Sequence, residues 1–240
     1  MTGGNGDTNE RNGTARGIGR RAFIGGALPL ALAACAPSYA PPPMAALDAR
    51  LARRALATEN AYAAIYGPLS DERFPIEALD LSEIDPDNLR RVVEWRGDEQ
   101  PGTIVVSPSE RRLHLVLEGG QAVRYGVGVG REGFGWSGRA TIKRKAAWPT
   151  WTPPHEMTLR DPDAAKWAAG MPGGPENPLG ARALYLYQGD RDTLYRLHGT
   201  NDPTTIGEAV SSGCVRLLNH DIIDLHRRVP VGTTVIVRPA

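Results

Sequence analysis

From Gly102 onward the apolar residues of this chain fall on every second position, and that period constrains the fold more than any other feature. Leu113, Leu115 and Leu117 are followed by Val123, Tyr125, Val127 and Val129, with Gly119-Gly120 between the two runs. Alternation of this kind puts one face of a strand in the core and the other in solvent, so a one-residue slip would invert every side chain. A Gly-Gly pair between two such runs suits a tight hairpin, whose central residues both need positive φ. Strands are therefore predicted over 103–106, 111–118 and 121–129, with further ones over 183–187, 194–198 and 234–237. A helix is predicted from Asn219, an N-cap candidate, to about Arg228, with Pro230 and Gly232 ending it. The remainder, including 148–154 and 170–180, reads as loop. The fold class expected is mainly β with a few short helices.

Upstream the character changes. Leu47, Leu51, Ala55 and Leu56, with arginines between them, fit an amphipathic helix over 44–66 that Pro68 closes. The stretch 69–100 is acidic and Pro-punctuated, with a short helix expected near 88–95. We read this region as a helical accessory layer. The first residues look like an address. Arg20-Arg21 precede a short apolar run from Phe23 to Ala34, which ends in Leu32-Ala33-Ala34-Cys35. The order resembles a twin-arginine export signal closed by a lipobox, in which Cys35 is lipidated and becomes the new N-terminus. The other reading is a soluble signal cut after an Ala-x-Ala site. Residues 36–43, rich in proline, suit an extended tether. The organisation expected is thus a signal over 1–34, a tether over 35–46, a helical segment over 47–101 and a main domain over 102–238. Ala36 follows the cysteine where an aspartate would retain a lipoprotein at the inner membrane, so outer-membrane attachment facing the periplasm is favoured.

Composition removes some classes of function. Among 240 residues, 28 basic and 27 acidic side chains give a net charge of +1, with no broad cationic field to attract nucleic acid. No apolar run approaches the roughly 18 residues of a spanning helix. Two cysteines are too few for a disulfide scaffold. Two motifs mislead. Gly128-Val129-Gly130-Arg131-Glu132-Gly133 has the spacing of a dinucleotide cradle, but Phe134-Gly135-Trp136-Ser137-Gly138 follows it and does not start a helix. His155-Glu156 lacks the second histidine of a zinc-protease helix, because Leu159 occupies its place. No metal is expected.

The chemistry concentrates in two short segments. His198-Gly199-Thr200 ends a strand, and Ser211-Ser212-Gly213-Cys214-Val215-Arg216 follows in the next loop. A neutral imidazole can take a thiol proton and raise the thiolate fraction, which makes Cys214 a candidate nucleophile and His198 its base. Small neighbours leave the sulfur open, and Gly213 lets backbone N–H groups approach a developing oxyanion. Arg216 supplies a cation that either binds a substrate carboxylate or braces the loop. From spacing alone an inert, packed cysteine stands level with a catalytic one.

The residues themselves carry more. His198-Gly199-Thr200-Asn201, Ile206-Gly207, Ser211-Ser212-Gly213-Cys214-Val215-Arg216-Leu217 and Asn219 closely resemble the active-site signature of the L,D-transpeptidase catalytic domain. Gly126 to Gly130, Asn177-Pro178-Leu179-Gly180 and Gly232-Thr233 extend the likeness to about 102–238. The chain departs from the pattern at Ser212, where many members have histidine, and at Trp136-Ser137-Gly138-Arg139-Ala140, where a Thr-Pro-x-Gly loop is usual. The resemblance implies a β-sandwich or barrel-like fold and a periplasmic cysteine transferase that needs no cofactor. Its partners would be peptidoglycan stem peptides, with a second stem, an outer-membrane protein or a lipoprotein as acyl acceptor. Cys214 would form an acyl-enzyme, His198 would move the proton, and Gly199, Ser211, Ser212 and Gly213 would support them. A main-chain carbonyl near Gly199 would orient the histidine, and carbapenems would acylate the same sulfur. Arg216, Tyr187, Trp148 and Trp151 are candidates for the substrate groove, although packing explains the aromatic residues as well. An L,D-carboxypeptidase using water as acceptor is the alternative, and a non-catalytic wall-binding tether a further one.

Overall fold

The computed structural model describes residues 58–130, 136–211 and 213–240. The export signal, Cys35, the tether and Ser212 lie outside them. All described residues belong to one compact unit spanning Asp48–Ala240.

The predicted hairpin forms: β3 (Arg112–Leu117) and β4 (Gln121–Gly126) pair antiparallel, and Gly119 and Gly120 take φ of 73° and 67°. β2 (Ile104–Ser107) joins β3 antiparallel, and β11 (Thr234–Val237) lies parallel to β2. Beyond β11 come β6 (Gly138–Ala147), β7 (Arg182–Gln188), β8 (Arg191–His198) and β10 (Val215–Arg216). With β1 (Arg91–Glu94) on the other edge, the order is β1-β4-β3-β2-β11-β6-β7-β8-β10. β5 (Val129–Gly130) and β9 (Ala209–Ser211) form a separate parallel pair. The β10 edge is tied to the segment between β4 and β5: Gly128 N–H donates to the Arg216 carbonyl at 3.0 Å and Arg216 N–H to that of Gly128 at 2.9 Å. One core gathers the inward faces of most of the strands, with Ile104, Leu113, Tyr125, Ile142, Leu184, Leu197, Leu217 and Val235 buried in it.

Helices are few and short. α1 covers the described part of the predicted first helix, 58–65. α2 (His155–Arg160) and α3 (Pro162–Ala165) lie in a stretch expected to be loop. α4 (Asn219–Arg228) forms where predicted and buries Ile222, Ile223 and Leu225. Arg227 and Arg228 sit in its last turn, where their charges complement the helix dipole.

Three expectations need correction. Residues 88–95 do not form a helix. A 3₁₀ turn at Pro86–Asn88 leads into β1, where β-branched Val92 and Val93 pair with β4. Gly138–Ala140 is not a loop but the start of β6, the longest strand described. Asn219 does not cap its helix: the N-cap is Leu218, and no side chain caps that end. The segment before Gly102 is also more than a lead-in. Tyr66, Ile84 and Leu89 form a small core with Ile206 and Leu218, and the Tyr66 hydroxyl donates to Asp221 in α4 at 3.1 Å.

Candidate active site

β8 ends at His198, and β10 runs parallel to it with Arg216 opposite His198 and Val215 opposite Leu197. One residue before β10, Cys214 therefore arrives beside Arg196, and the strand pairing brings together the two segments that the sequence separates. His198, Gly213, Cys214 and Arg216 line one cavity of ≈ 390 Å³. Its other walls are Trp151, Pro154, Met157, Pro178 and Leu179 on one side and Thr193, Leu194 and Tyr195 on the other.

His198 is buried, and its Nδ1 lies 2.6 Å from the Gly199 carbonyl oxygen. A carbonyl only accepts, so Nδ1 carries the proton and Nε2 keeps its lone pair. Burial pushes the imidazole down to about 4, with Arg216 and Arg196 acting in the same direction and the Gly199 carbonyl against it. Burial also raises the Cys214 thiol, while the Arg196 amide and the Arg196 and Arg216 charges pull it down. Around neutral pH the resting pair is thus a thiol and a neutral imidazole rather than a preformed ion pair. The thiol donates weakly to the Leu194 carbonyl, with Sγ 3.8 Å from the oxygen. Gly213 has φ of 124°, a conformation that side-chain-bearing residues rarely adopt, which fixes the approach of the backbone to the sulfur. Arg216 is half-buried, and Asp202 attracts it from beyond salt-bridge distance.

The loop carrying the histidine is held from behind. Asn219 accepts from the Ala181 N–H at 2.9 Å and donates to the Thr200 carbonyl at 2.9 Å, tying the turn after β8 to the start of β7. Asn177, fully buried, reaches the carbonyls of Pro149, Met171 and Pro172 and accepts from the Leu179 N–H, which shapes the wall at Pro178 and Leu179. Asn177 lies in one of the quoted landmarks, but its role could not be read from the sequence. Met157 gave no signal.

Other candidates fall elsewhere. Trp151 lines the cavity, but Trp148 does not. Its indole N–H donates to Glu72 at 3.2 Å, and its ring meets Phe74 edge-on at 5.0 Å, so it packs the accessory segment onto the domain. Tyr187 sits opposite Asp192 across the β7–β8 pair and is absent from the cavity wall. Ser211 pairs with Gly130 through the β5–β9 backbone. Of the Gly128 to Gly133 motif, Val129–Gly130 form β5, and residues 131–133 lie outside the described residues. Among the described residues no group of three or more His, Cys, Asp or Glu is placed to hold a metal ion.

Comparison with known proteins assigns the family. The YkuD family, the L,D-transpeptidase catalytic domain, matches residues 101–237, and the chain belongs to it. The probable L,D-transpeptidase YbiS of Escherichia coli K12 is 41% identical over 138 residues, which cover 55% of this chain and 43% of that protein. The probable L,D-transpeptidase ErfK/SrfK of the same strain is 38% identical over 138 residues, covering 55% and 42%. The chain thus spans less than half the length of these curated relatives. A solved structure from Brucella melitensis, described as a probable carnitine operon oxidoreductase, is 47% identical and covers 66% of this chain and 99% of its own, with a TM-score of 0.46.

Proposed function

We propose that the protein is a cell-wall L,D-transpeptidase that carries its acyl group on Cys214. What supports the reading most is the shared cavity, which holds a thiol, an Nδ1-protonated imidazole and a guanidinium within a domain of the matching family. The donor substrate is a peptidoglycan tetrapeptide stem. His198 Nε2 takes the Sγ proton as the sulfur attacks the carbonyl carbon of the third stem residue. Main-chain N–H groups around Gly213 and Cys214 stabilise the oxyanion. The C–N bond then breaks, the imidazolium returns the proton to the departing D-alanine amine, and a thioester remains. An acceptor amine attacks the thioester, Nε2 takes its proton, and the sulfur leaves and is reprotonated. The Trp151, Met157 and Leu179 wall covers the stem, and Arg216 is placed for a carboxylate of either substrate. The product is a cross-link between stems or a protein attached to the wall.

Export by the signal over 1–34 and lipidation at Cys35 would place this reaction at a periplasmic membrane face, the outer membrane by the residue that follows the cysteine. Labelling cells with a fatty-acid analogue tests the anchor: the native protein is marked and Cys35→Ser is not. Intact mass after incubation with a carbapenem tests the nucleophile. One covalent adduct is expected on the native chain and none on Cys214→Ala. An unmodified native protein, or an adduct that survives the substitution, would count against it.

A further inference from the structure

The strand that delivers His198 is irregular just where it passes the nucleophile. The β7–β8 register shifts between Tyr185 and Tyr187, and on the β8 side Leu194 takes φ of 64° while its side chain is exposed. A non-glycine residue in the left-handed region costs free energy and persists only where its surroundings hold it. Here the holding group is Asp192. Its Oδ1 accepts from the Leu194 N–H at 2.8 Å and from Arg196 Nη1 at 2.7 Å, while Oδ2 accepts from Arg196 Nη2 at 2.8 Å. The Arg196 guanidinium also donates to the Tyr195 carbonyl at 2.9 Å and lies 4.5 Å from the centre of the Tyr185 ring, which Arg144 covers at 4.3 Å. Two main-chain groups of the clamped segment lie at Cys214: the Leu194 carbonyl takes the S–H, and the parallel β8–β10 register sets Arg196 beside Cys214, where its amide favours the thiolate.

We propose that Asp192 is a positioning residue for the nucleophile, fixing the bulge of β8 so that the Leu194 carbonyl holds the resting thiol and the Arg196 N–H receives the thiolate. The bulge would then exchange one contact for the other when the proton leaves, without moving the chain. Asp192 is distant in role from His198 and Arg216: it touches no substrate and acts through the Leu194 and Arg196 backbone. The inference rests on Cys214 being the reacting group, as the proposed function has it.

The test is the pH dependence of Cys214 alkylation by iodoacetamide in the full chain carrying Cys35→Ser, a reaction that needs neither stem peptide nor acceptor. As a bare negative charge near the sulfur, Asp192 would disfavour the thiolate, and removing it would move the alkylation profile to lower pH. As a clamp it does the opposite. Asp192→Ala is expected to move the profile to higher pH and to slow alkylation at neutral pH roughly tenfold, the scale of one charge-assisted hydrogen bond. Asp192→Asn keeps an acceptor for the Leu194 amide but loses the forked pair with Arg196, and is expected to fall between native and alanine. Thermal unfolding of each variant identifies the folded fraction, and Asn, being isosteric, keeps the comparison open if alanine unfolds. A profile that stays in place or moves down in the folded asparagine variant overturns the proposal. Carbapenem acylation of the native chain is read separately, so failure of the clamp and failure of the transpeptidase reading are distinguishable.

Discussion

At the scale of single residues the site rests on groups that are neutral when idle. The Gly199 carbonyl fixes the histidine tautomer, and burial keeps the ring uncharged down to about pH 4. An NMR titration of His198 should therefore show no protonation between pH 5 and 8, whereas an ion-paired site would keep the ring charged through that range. Asn219 is the residue whose loss should reach His198 indirectly. Asn219→Ala removes one bond to Ala181 and one to Thr200, costing about 1–3 kcal/mol. Lower thermal stability and slower carbapenem acylation are both expected; unchanged acylation in the folded variant would show that the turn after β8 does not depend on this tie. For Gly213→Ala, the nearest atom among the described residues outside its chain neighbours is Tyr195 Cε1 at 4.0 Å, and the backbone carries a penalty of its own. At φ of 124° that amounts to about 1–3 kcal/mol. The expected readout is slower acylation with a modest change in melting temperature.

At the scale of elements, the strands with clean alternation were legible and those with long basic side chains were not. The β3–β4 hairpin announced itself through Leu113, Leu115 and Leu117 facing Val123 and Tyr125, with two glycines between. β6 escaped notice because Arg139, Lys143, Arg144 and Lys145 make its sequence look like solvated loop. In the fold those side chains are used: Lys145 donates to the carbonyls of His226 and Val229 at the end of α4, and Arg144 lies over the Tyr185 ring. Lys145→Met should thus destabilise the chain by leaving two carbonyls at the helix end without their donor, and a melting temperature equal to native would refute that. The segment 88–95 misled in another way. A short helix is expected there from the sequence, but Val92 and Val93 found a partner strand that no local pattern reveals. The candidate site divides in the same way. His198 and Cys214 were legible as a match to a family signature, spacing alone leaving a packed cysteine level with a reactive one, and the fold brings both to one cavity. The Asp192 clamp and the Asn219 tie were not, since each depends on which strands lie side by side.

At the scale of the whole molecule, the segment before Gly102 and the catalytic domain share buried polar groups. Tyr66 donates to Asp221 and accepts from the Arg90 N–H at 2.6 Å, while Arg90 pairs with Asp224 at 2.8 Å, which also accepts from Tyr125 at 2.7 Å. Burial raises the Asp221 carboxyl to about 7, against the pull of Arg90 and Tyr66. A carboxyl raised on folding binds its proton more tightly in the native state, so its contribution is full below about pH 4 and is lost as pH rises through about 7. The depressed His198 and His226 act with the opposite sign, favouring the fold above about pH 6.5 and losing that contribution as pH falls towards 4. Asp221→Asn cannot titrate, so its stability relative to native should improve from pH 4 to pH 8. Denaturant unfolding at the two pH values checks this, and a variant that loses stability relative to native as pH rises would contradict it.

One measurement addresses the reaction without an analogue. The purified full chain is incubated with a disaccharide tetrapeptide, and released D-alanine and cross-linked dimer are quantified together. D-alanine release accompanied by dimer is expected from the native protein, with both products absent from Cys214→Ala. Release that persists without Cys214, or a native protein that leaves the stem intact, would contradict the account.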